Sequence, residues 1–301
     1  YDLASLTKVV GTTAAVMALV DDGRMRLDDS VQRFLPAFTG PGKERVTIRH
    51  LLTHTSGLPA GRRLRSTPAA TLESFIRAPI GPSPGTEISY SDVGFTVLFE
   101  AVERAAGEPL PEYLQRRVYG PLGMTETRYL PGRGCDRCAP TLRLRSGGPY
   151  RGKTSDPTAR ALGGIAGGAG LFSTGHDVGR FAAMLTSGGA VDGVRVFAEE
   201  TVREFTRVTA GETRGLGFEL FCREGAAPEG AARRESCAYG HTGYTGTSLW
   251  IDPNDGIWVV LLTNSTYEPR GPNELGPLRR AIYDRVVGSG SATRPAAASR
   301  E

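Results

Sequence analysis

Residues 5–22 of this 301-residue chain place apolar side chains on every side of a helix: Val9, Val10, Ala14, Ala15, Val16, Met17, Ala18, Leu19 and Val20. A helix without a polar face has nothing to offer water, so it must run through the middle of a core with other elements packed around it. Asp21-Asp22-Gly23 ends it. The head of the same helix is polar: Ser5-Leu6-Thr7-Lys8. Residues i and i+3 share a helix face, which brings Ser5 Oγ and Lys8 Nζ within reach of each other. Lysine is scarce here: of 36 Lys plus Arg, only Lys8, Lys43 and Lys153 are lysine. Arginine cannot release its proton, whereas a desolvated lysine can, and a serine nucleophile needs a neighbour that manages its proton. The same residues also fit a plainer reading, with Ser5 as a helix cap and Lys8 as a surface charge.

The remaining composition excludes several classes. With 39% hydrophobic and 23% charged residues the chain has the make-up of a globular protein, and its length suffices for one large core or two fused subdomains. No apolar run is long enough to span a membrane. The net charge of +4 comes from scattered arginines. Arg62-Arg63-Leu64-Arg65 lacks the aromatic partners of a nucleic-acid groove and reads as solvated surface, so no nucleic-acid partner is expected. Cys135-Asp136-Arg137-Cys138 is a CxxC, with Cys222 and Cys237 far away. No histidine flanks it, which favours unpaired or disulfide-bonded cysteines, a Cys222–Cys237 cross-hairpin bond among them, over a zinc site. The first residue is Tyr1 and no signal peptide is visible.

Along the chain, Thr47 marks the N-cap of a short helix through Leu51-Leu52, stopped at Ser56-Gly57-Leu58-Pro59. Loop signals run on to Tyr90. Residues 94–106 and 111–118 read as two helices broken at Gly107-Glu108-Pro109, and residues 119–170 are turn-rich, with Gly163-Gly164 and Gly167-Gly168. Residues 176–187 and 198–207 read as helices. Gly217–Phe221, Thr247–Ile251 and Ile257–Thr263 then read as strands, the last two joined by a turn at Asp252-Pro253-Asn254-Asp255-Gly256. A final helix covers roughly 275–287, and a Ser/Ala/Gly-rich tail over 288–301 reads as disordered. The expected class is α+β, with a single domain over 1–287 made of a sheet part (1–40 and 205–287) and a mainly helical part (41–204). Ligand sites favour the seam between such parts.

Two further stretches carry chemistry. Tyr90-Ser91-Asp92 precedes the helix from residue 94. A phenol is a poor base near its usual pKa of about 10, but a nearby ammonium lowers that value and permits proton shuttling. The plainer reading is a tyrosine packed at a helix start, with Asp92 as N-cap. Gly240-His241-Thr242-Gly243-Tyr244-Thr245-Gly246 leads into the strand at 247. Small residues at the start of an edge strand let a substrate backbone lie close, and a backbone N–H there can complete an oxyanion hole with that of Ser5. A glycine-rich hairpin entry explains the same residues without chemistry.

Ser-x-x-Lys, then Tyr-x-Asp, then His-Thr-Gly, in that order, resembles the penicillin-recognising serine hydrolases, in the branch of class C β-lactamases, D,D-peptidases and related esterases. The resemblance extends through Ala4–Lys8, His50-Leu51-Leu52-Thr53-His54-Thr55-Ser56-Gly57-Leu58, Asp156-Pro157-Thr158-Ala159, Pro121–Met124, Gly170–Thr174 and Gly246–Trp250. It implies a β-lactamase/transpeptidase-like fold: an antiparallel sheet flanked by helices, plus a helical region, with the site between them. It implies Ser5 as the acylated nucleophile, Lys8 as its proton partner, and Tyr90 as the group that protonates the leaving group and activates the deacylating water. His241 would stand in for a substrate-anchoring lysine, beside Thr242 and Gly243, and the N–H groups of Ser5 and Tyr244 would form the oxyanion hole. No metal or organic cofactor is implied.

Three departures qualify the resemblance. Asp92 stands where the family has asparagine; a carboxylate cannot donate a hydrogen bond, favours a protonated Lys8 and repels a substrate carboxylate. His241 is a weaker carboxylate anchor than lysine. The family carries strands before the serine helix, whereas Ser5 stands four residues after Tyr1, so a truncated gene model, a fragment or one partner of a split protein is expected. The expected function is therefore a serine hydrolase of small esters or D-amino-acid amides, with weak or no β-lactamase activity. The alternative is a non-catalytic relative that binds peptide or peptidoglycan-like ligands. The family's export to the cell envelope implies a periplasmic or extracellular place.

Overall fold

The apolar helix does run through the core. In the computed structural model, residues 1–132, 134–144, 146–207, 209–211, 213–221, 237–267 and 275–291 are described, with side chains through Val286 in the last stretch. Helix α1 starts as a π-type segment, Lys8–Thr13, and continues as α-helix over Ala14–Asp21. Every residue from Leu6 to Leu19 is buried. Each buried valine, leucine or methionine here contributes roughly 1.5–3 kcal/mol before conformational entropy is counted. The later helices are α2 (Ile48–Leu52), α3 (Pro68–Ile76), α4 (Asp92–Ala106), α5 (Leu110–Leu114, prolonged by a π-type segment Gln115–Tyr119), α6 (Pro157–Ala161), α7 (Gly175–Thr186), α8 (Glu199–Thr206) and α9 (Leu275–Ser291). Helices α4, α5 and α8 pack directly on α1.

Two short strands, β1 (Arg128–Tyr129) and β2 (Leu171–Phe172), pair antiparallel beside the start of α1. The main sheet holds β3 (Glu219–Phe221), β4 (Ala238–Thr242), β5 (Ser248–Asp252) and β6 (Ile257–Leu261). Its spatial order is β6-β5-β4-β3, antiparallel throughout. Alternation along the strands divides the sheet. Tyr239, Leu249 and Ile251 face the main core, and Trp258 lies over Gly179 of α7. Ala238, Trp250, Ile257 and Val259 meet Tyr283 of α9 on the opposite face. Helices thus flank the sheet on both sides, a β-lactamase/transpeptidase-like arrangement.

Several local readings change. Helix α3 lies where only loop signals were read. Its start was written in Thr67-Pro68, since Thr67 accepts from the Ala70 N–H and proline occupies the first turn. The cap of α4 is Ser91, whose Oγ accepts from the Gly94 N–H, and not Asp92, which is already helical. Helix α9 continues to Ser291, past the expected end at 287; residues 292–301 of the tail lie outside the described residues. Strand β4 is an inner strand rather than an edge, but β3 pairs with it only over Ala238–Gly240, leaving His241 and Thr242 beyond the end of that pairing. Cys135 and Cys138 form a disulfide, which removes both from any zinc set, and no described cysteine is free. Cys222 lies outside the described residues. In the Arg62–Arg65 run, Arg63 and Arg65 are exposed, while the Arg62 Nη1 is buried and Leu64 packs against the core. No described helix is long and apolar enough to cross a membrane.

Candidate active site

Ser5 sits at the entry to α1, directly after Ala4, whose φ of 47° is a left-handed value that costs a non-glycine residue energy. Hydrogen bonds hold this short segment from several sides. The Leu3 N–H donates to Leu171 O of β2 at 2.9 Å, the Leu171 N–H to Thr7 Oγ1 at 3.2 Å, and Asp2 accepts from the N–H and Oγ of Ser155 at 2.6 and 2.8 Å.

Lys8 is one turn on and fully buried. Its ammonium donates to Ser5 Oγ at 3.3 Å, to Asp92 Oδ1 at 2.6 Å and to Gly168 O at 3.1 Å, so all three of its donors are used. Burial is the largest single influence on Lys8 and works to lower its pKa. The attraction of the Tyr90 oxygen and the Asp92 carboxylate, with their hydrogen bonds, outweighs it and holds Lys8 above its usual range. The surface-charge reading of Lys8 is thereby excluded. Gly168 permits this approach: a Cβ there would lie 2.9 Å from Asp92 Oδ1 and 3.1 Å from Lys8 Nζ.

Tyr90 lies in the loop that enters α4. Its hydroxyl donates to Ser5 Oγ at 2.9 Å, and Lys8 Nζ lies 4.7 Å from the centre of its ring. Ser5, Lys8, Tyr90 and Asp92 therefore form one connected group, drawn from positions up to 87 residues apart in a chain of 301.

The glycine-rich stretch arrives from the sheet. Thr245 Oγ1 donates to Asp2 O at 2.8 Å and Thr247 Oγ1 to Leu3 O at 3.0 Å, tying the 243–247 turn to the segment before Ser5. A Cβ on Gly243 would lie 2.6 Å from Leu3 O and 2.1 Å from Thr247 Oγ1, so only glycine fits this approach. Arg279 of α9 clamps the turn from the other side, donating to Gly243 O at 2.6 Å, Thr247 O at 3.0 Å and Gly246 O at 3.2 Å. Tyr244 is exposed at the rim. Among the described hydrogen bonds, neither the Ser5 N–H nor the Tyr244 N–H is engaged.

His241 and Thr242 part company. The His241 ring is buried on the core side, 6.0 Å from the Tyr90 ring, with Nδ1 donating to Thr242 O at 2.6 Å. Burial lowers its pKa, so it is neutral, and Nε2 is an acceptor without a described partner. Thr242 faces the other side of the sheet, where it lines a cavity with Phe221, Trp250, Arg279 and Tyr283. Two charged residues absent from the sequence reading border the group. The Arg214 guanidinium lies 5.8 Å from the Tyr90 ring centre, and Glu219 Oε1 is 3.5 Å from Arg214 Nη1 and 3.9 Å from His241 Nε2.

The Beta-lactamase family model matches residues 1–284. The chain belongs to the beta-lactamase family. An Escherichia coli K12 relative named "Putative D-alanyl-D-alanine carboxypeptidase" is 31% identical over 95% of this chain and 75% of its own length. Among solved structures, EstCE1, a hydrolase with promiscuous acyltransferase activity, is 27% identical, with a TM-score of 0.68 over 93% of this chain and 84% of that one. A beta-lactamase/D-alanine carboxypeptidase from Pseudomonas syringae superimposes with a TM-score of 0.74 over 98% of this chain and 85% of that one; at 20% identity it speaks for the fold alone. This beta-lactamase-family chain is thus a hydrolase of the β-lactamase and penicillin-binding type. The sequence reading missed Gly168, Arg214 and Glu219. Only Gly168 left a signal, as half of the Gly167-Gly168 pair.

Proposed function

We propose that this protein is a serine hydrolase that forms an acyl-enzyme on Ser5 and acts on small esters or on amides of D-amino acids, with weak or no β-lactamase activity. One observation carries the reading: Ser5 Oγ lies 2.9 Å from the Tyr90 hydroxyl and 3.3 Å from the Lys8 ammonium. As Ser5 Oγ bonds to the substrate carbonyl carbon, its proton passes to the Tyr90 oxygen, and Tyr90 delivers its own proton to the departing oxygen or nitrogen. Lys8, held as ammonium, stabilises the negative charge that grows on Ser5 Oγ. The N–H groups of Ser5 and Tyr244 receive the carbonyl oxygen as it turns anionic. Water then attacks the acyl carbon; its proton passes to the Tyr90 oxygen as Tyr90 passes its own proton to the departing Ser5 Oγ.

The substrate class follows from charge. Asp92 is 40% exposed beside Ser5 and presents a carboxylate to the entering ligand, and His241 is neutral, so a penicillin carboxylate meets repulsion without a lysine anchor. The disulfide and the bacterial relatives support an exported, periplasmic or extracellular protein. A second reading, a ligand-binding relative without catalysis, is favoured by one contact, the 2.6 Å Lys8–Asp92 ion pair that ties up the lysine.

The test is a panel of p-nitrophenyl butyrate, D-alanine p-nitroanilide and nitrocefin, with Ser5→Ala alongside. Ester or D-anilide turnover that vanishes in the variant supports the reading. Efficient nitrocefin turnover contradicts the substrate class, and no turnover of any of the three favours the ligand-binding relative.

A further inference from the structure

Tyr90 is flanked on both sides by contacts to one residue. The Ser89 N–H donates to His54 O at 2.8 Å, and the Ser91 N–H donates to His54 Nδ1 at 3.0 Å. The His54 ring lies 4.5 Å from the Tyr90 ring and 5.0 Å from that of Phe95, between the tyrosine and the first turn of α4. We propose that His54 is a positioning residue for the reaction: it fixes the backbone on either side of Tyr90 and the tilt of the Tyr90 ring, and so sets the Tyr90 hydroxyl against Ser5 Oγ. The proposal rests on the role given to Tyr90 above.

Three features distinguish His54 from an ordinary buried histidine. It has a left-handed backbone, with φ of 59°, uncommon for a residue other than glycine although histidine tolerates it better than most. This conformation follows the end of α2 and turns both His54 O and His54 Nδ1 towards the Tyr90 loop. Nδ1 accepts a hydrogen bond and therefore carries no proton, so the ring is the neutral Nε2–H tautomer. Nε2 itself is buried without a described partner, so the ring is kept for its Nδ1 contact and its stacking, not for a second bond. His54 touches neither Ser5 nor Lys8 in the described contacts, so it acts through Tyr90. Ser91 shares the arrangement. Its N–H meets His54, and its Oγ both caps α4 and donates to Pro59 O at 2.6 Å.

The experiment compares His54→Asn, His54→Gln and His54→Phe with Tyr90→Phe, each checked for its melting temperature. The readouts are the rate of fluorophosphonate labelling at Ser5, and kcat and KM for p-nitrophenyl butyrate. An asparagine oxygen reaches the place of Nδ1 and tolerates the left-handed backbone; a glutamine reaches towards Nε2 instead; phenylalanine keeps the ring and loses the acceptor. Small misplacement of a reacting group lowers rates by one to two orders of magnitude. We expect His54→Phe and His54→Gln to label about tenfold more slowly, with kcat lowered in step and KM within about twofold, and His54→Asn to regain most of the rate. Wild-type labelling by His54→Phe while Tyr90→Phe is slow overturns the positioning role alone. So does a His54→Asn variant as slow as His54→Gln at equal melting temperature. Wild-type labelling by Tyr90→Phe overturns the proton role of Tyr90 and the positioning role with it.

Discussion

Lys8 carries the electrostatic problem of this site. A fully buried ammonium needs its charge met, and Asp92 meets it at 2.6 Å, with Ser5 Oγ and Gly168 O taking the other two protons. The arrangement keeps Lys8 protonated and leaves Tyr90 to move the proton. Replacing Asp92 by asparagine keeps the shape and removes the charge. Asp92→Asn is expected to speed the labelling of Ser5 about three- to tenfold, because the Lys8 ammonium, no longer neutralised by a carboxylate, then stabilises the charge growing on Ser5 Oγ more strongly. The same change is expected to lower stability by about 1–2 kcal/mol, below the usual figure for a fully buried pair because Asp92 is partly exposed. Stopped labelling reactions and urea unfolding read the two effects; an unchanged labelling rate would mean that the carboxylate does not control Lys8. At this scale the sequence was informative about Ser5 and Lys8, since an i,i+3 pair is a local geometry. Only the cap reading of Asp92 fails, because Ser91 caps α4; the effect of its carboxylate on Lys8, which the resemblance implied across 84 residues of sequence, agrees with the 2.6 Å contact.

Elements bring these residues together. The entry to α1 supplies Ser5 and its first turn Lys8, the loop before α4 supplies Tyr90, the start of α4 supplies Asp92, and the Gly167-Gly168 turn closes over Lys8 and Asp92. Thr12 Oγ1 of α1 donates to Gly167 O at 2.8 Å, and Gly168 O accepts from Lys8. Gly168→Ala is expected to slow labelling at least about tenfold by pushing Asp92 and Lys8 apart, because a misplaced group loses one to two orders of magnitude. Gly61→Ala, at a position where a Cβ meets nothing within 4 Å, is the control expected to leave the rate unchanged. A fast Gly168→Ala variant would show that the Lys8–Asp92 contact tolerates displacement. Helices with strong apolar patterns, α1, α4 and α7, were legible in the sequence. Helix α3 was not, because turn-forming residues on both sides masked the Thr67-Pro68 start signal. The inner position of β4 was equally hidden, since strand order is a long-range property that a run of five residues does not encode.

For the molecule as a whole, the order of the three motifs pointed to the fold more strongly than composition or periodicity did. Motifs from three separate elements meet only if the chain folds one way. The same convergence buries histidines. His54, His241 and His50 are all lowered, by burial first. The folded forms are neutral, whereas the unfolded chain takes up protons near the ordinary histidine value of about 6.5. Below about pH 6.5 the unfolded state therefore binds more protons, and stability falls as pH is lowered through that window. Glu100, Glu103 and Asp156, raised by burial, act in the opposite direction near the carboxylate range. The loss between pH 7.5 and 5.5 is bounded at about 1.4 kcal/mol for each of His54 and His241, the limit for a group that titrates near 6.5 in the unfolded chain alone. Melting temperatures across that range check it, and His54→Asn should flatten the decline; a decline of unchanged steepness in that variant would remove His54 from the account.

The most direct test of the central claim is the intact mass of the protein after incubation with a fluorophosphonate, with peptide mapping of the adduct and Ser5→Ala in parallel. One phosphonyl group per chain is expected, mapped to Ser5 and absent from the variant. Folded wild-type protein that stays unmodified, or an adduct that maps elsewhere and persists in Ser5→Ala, would contradict it.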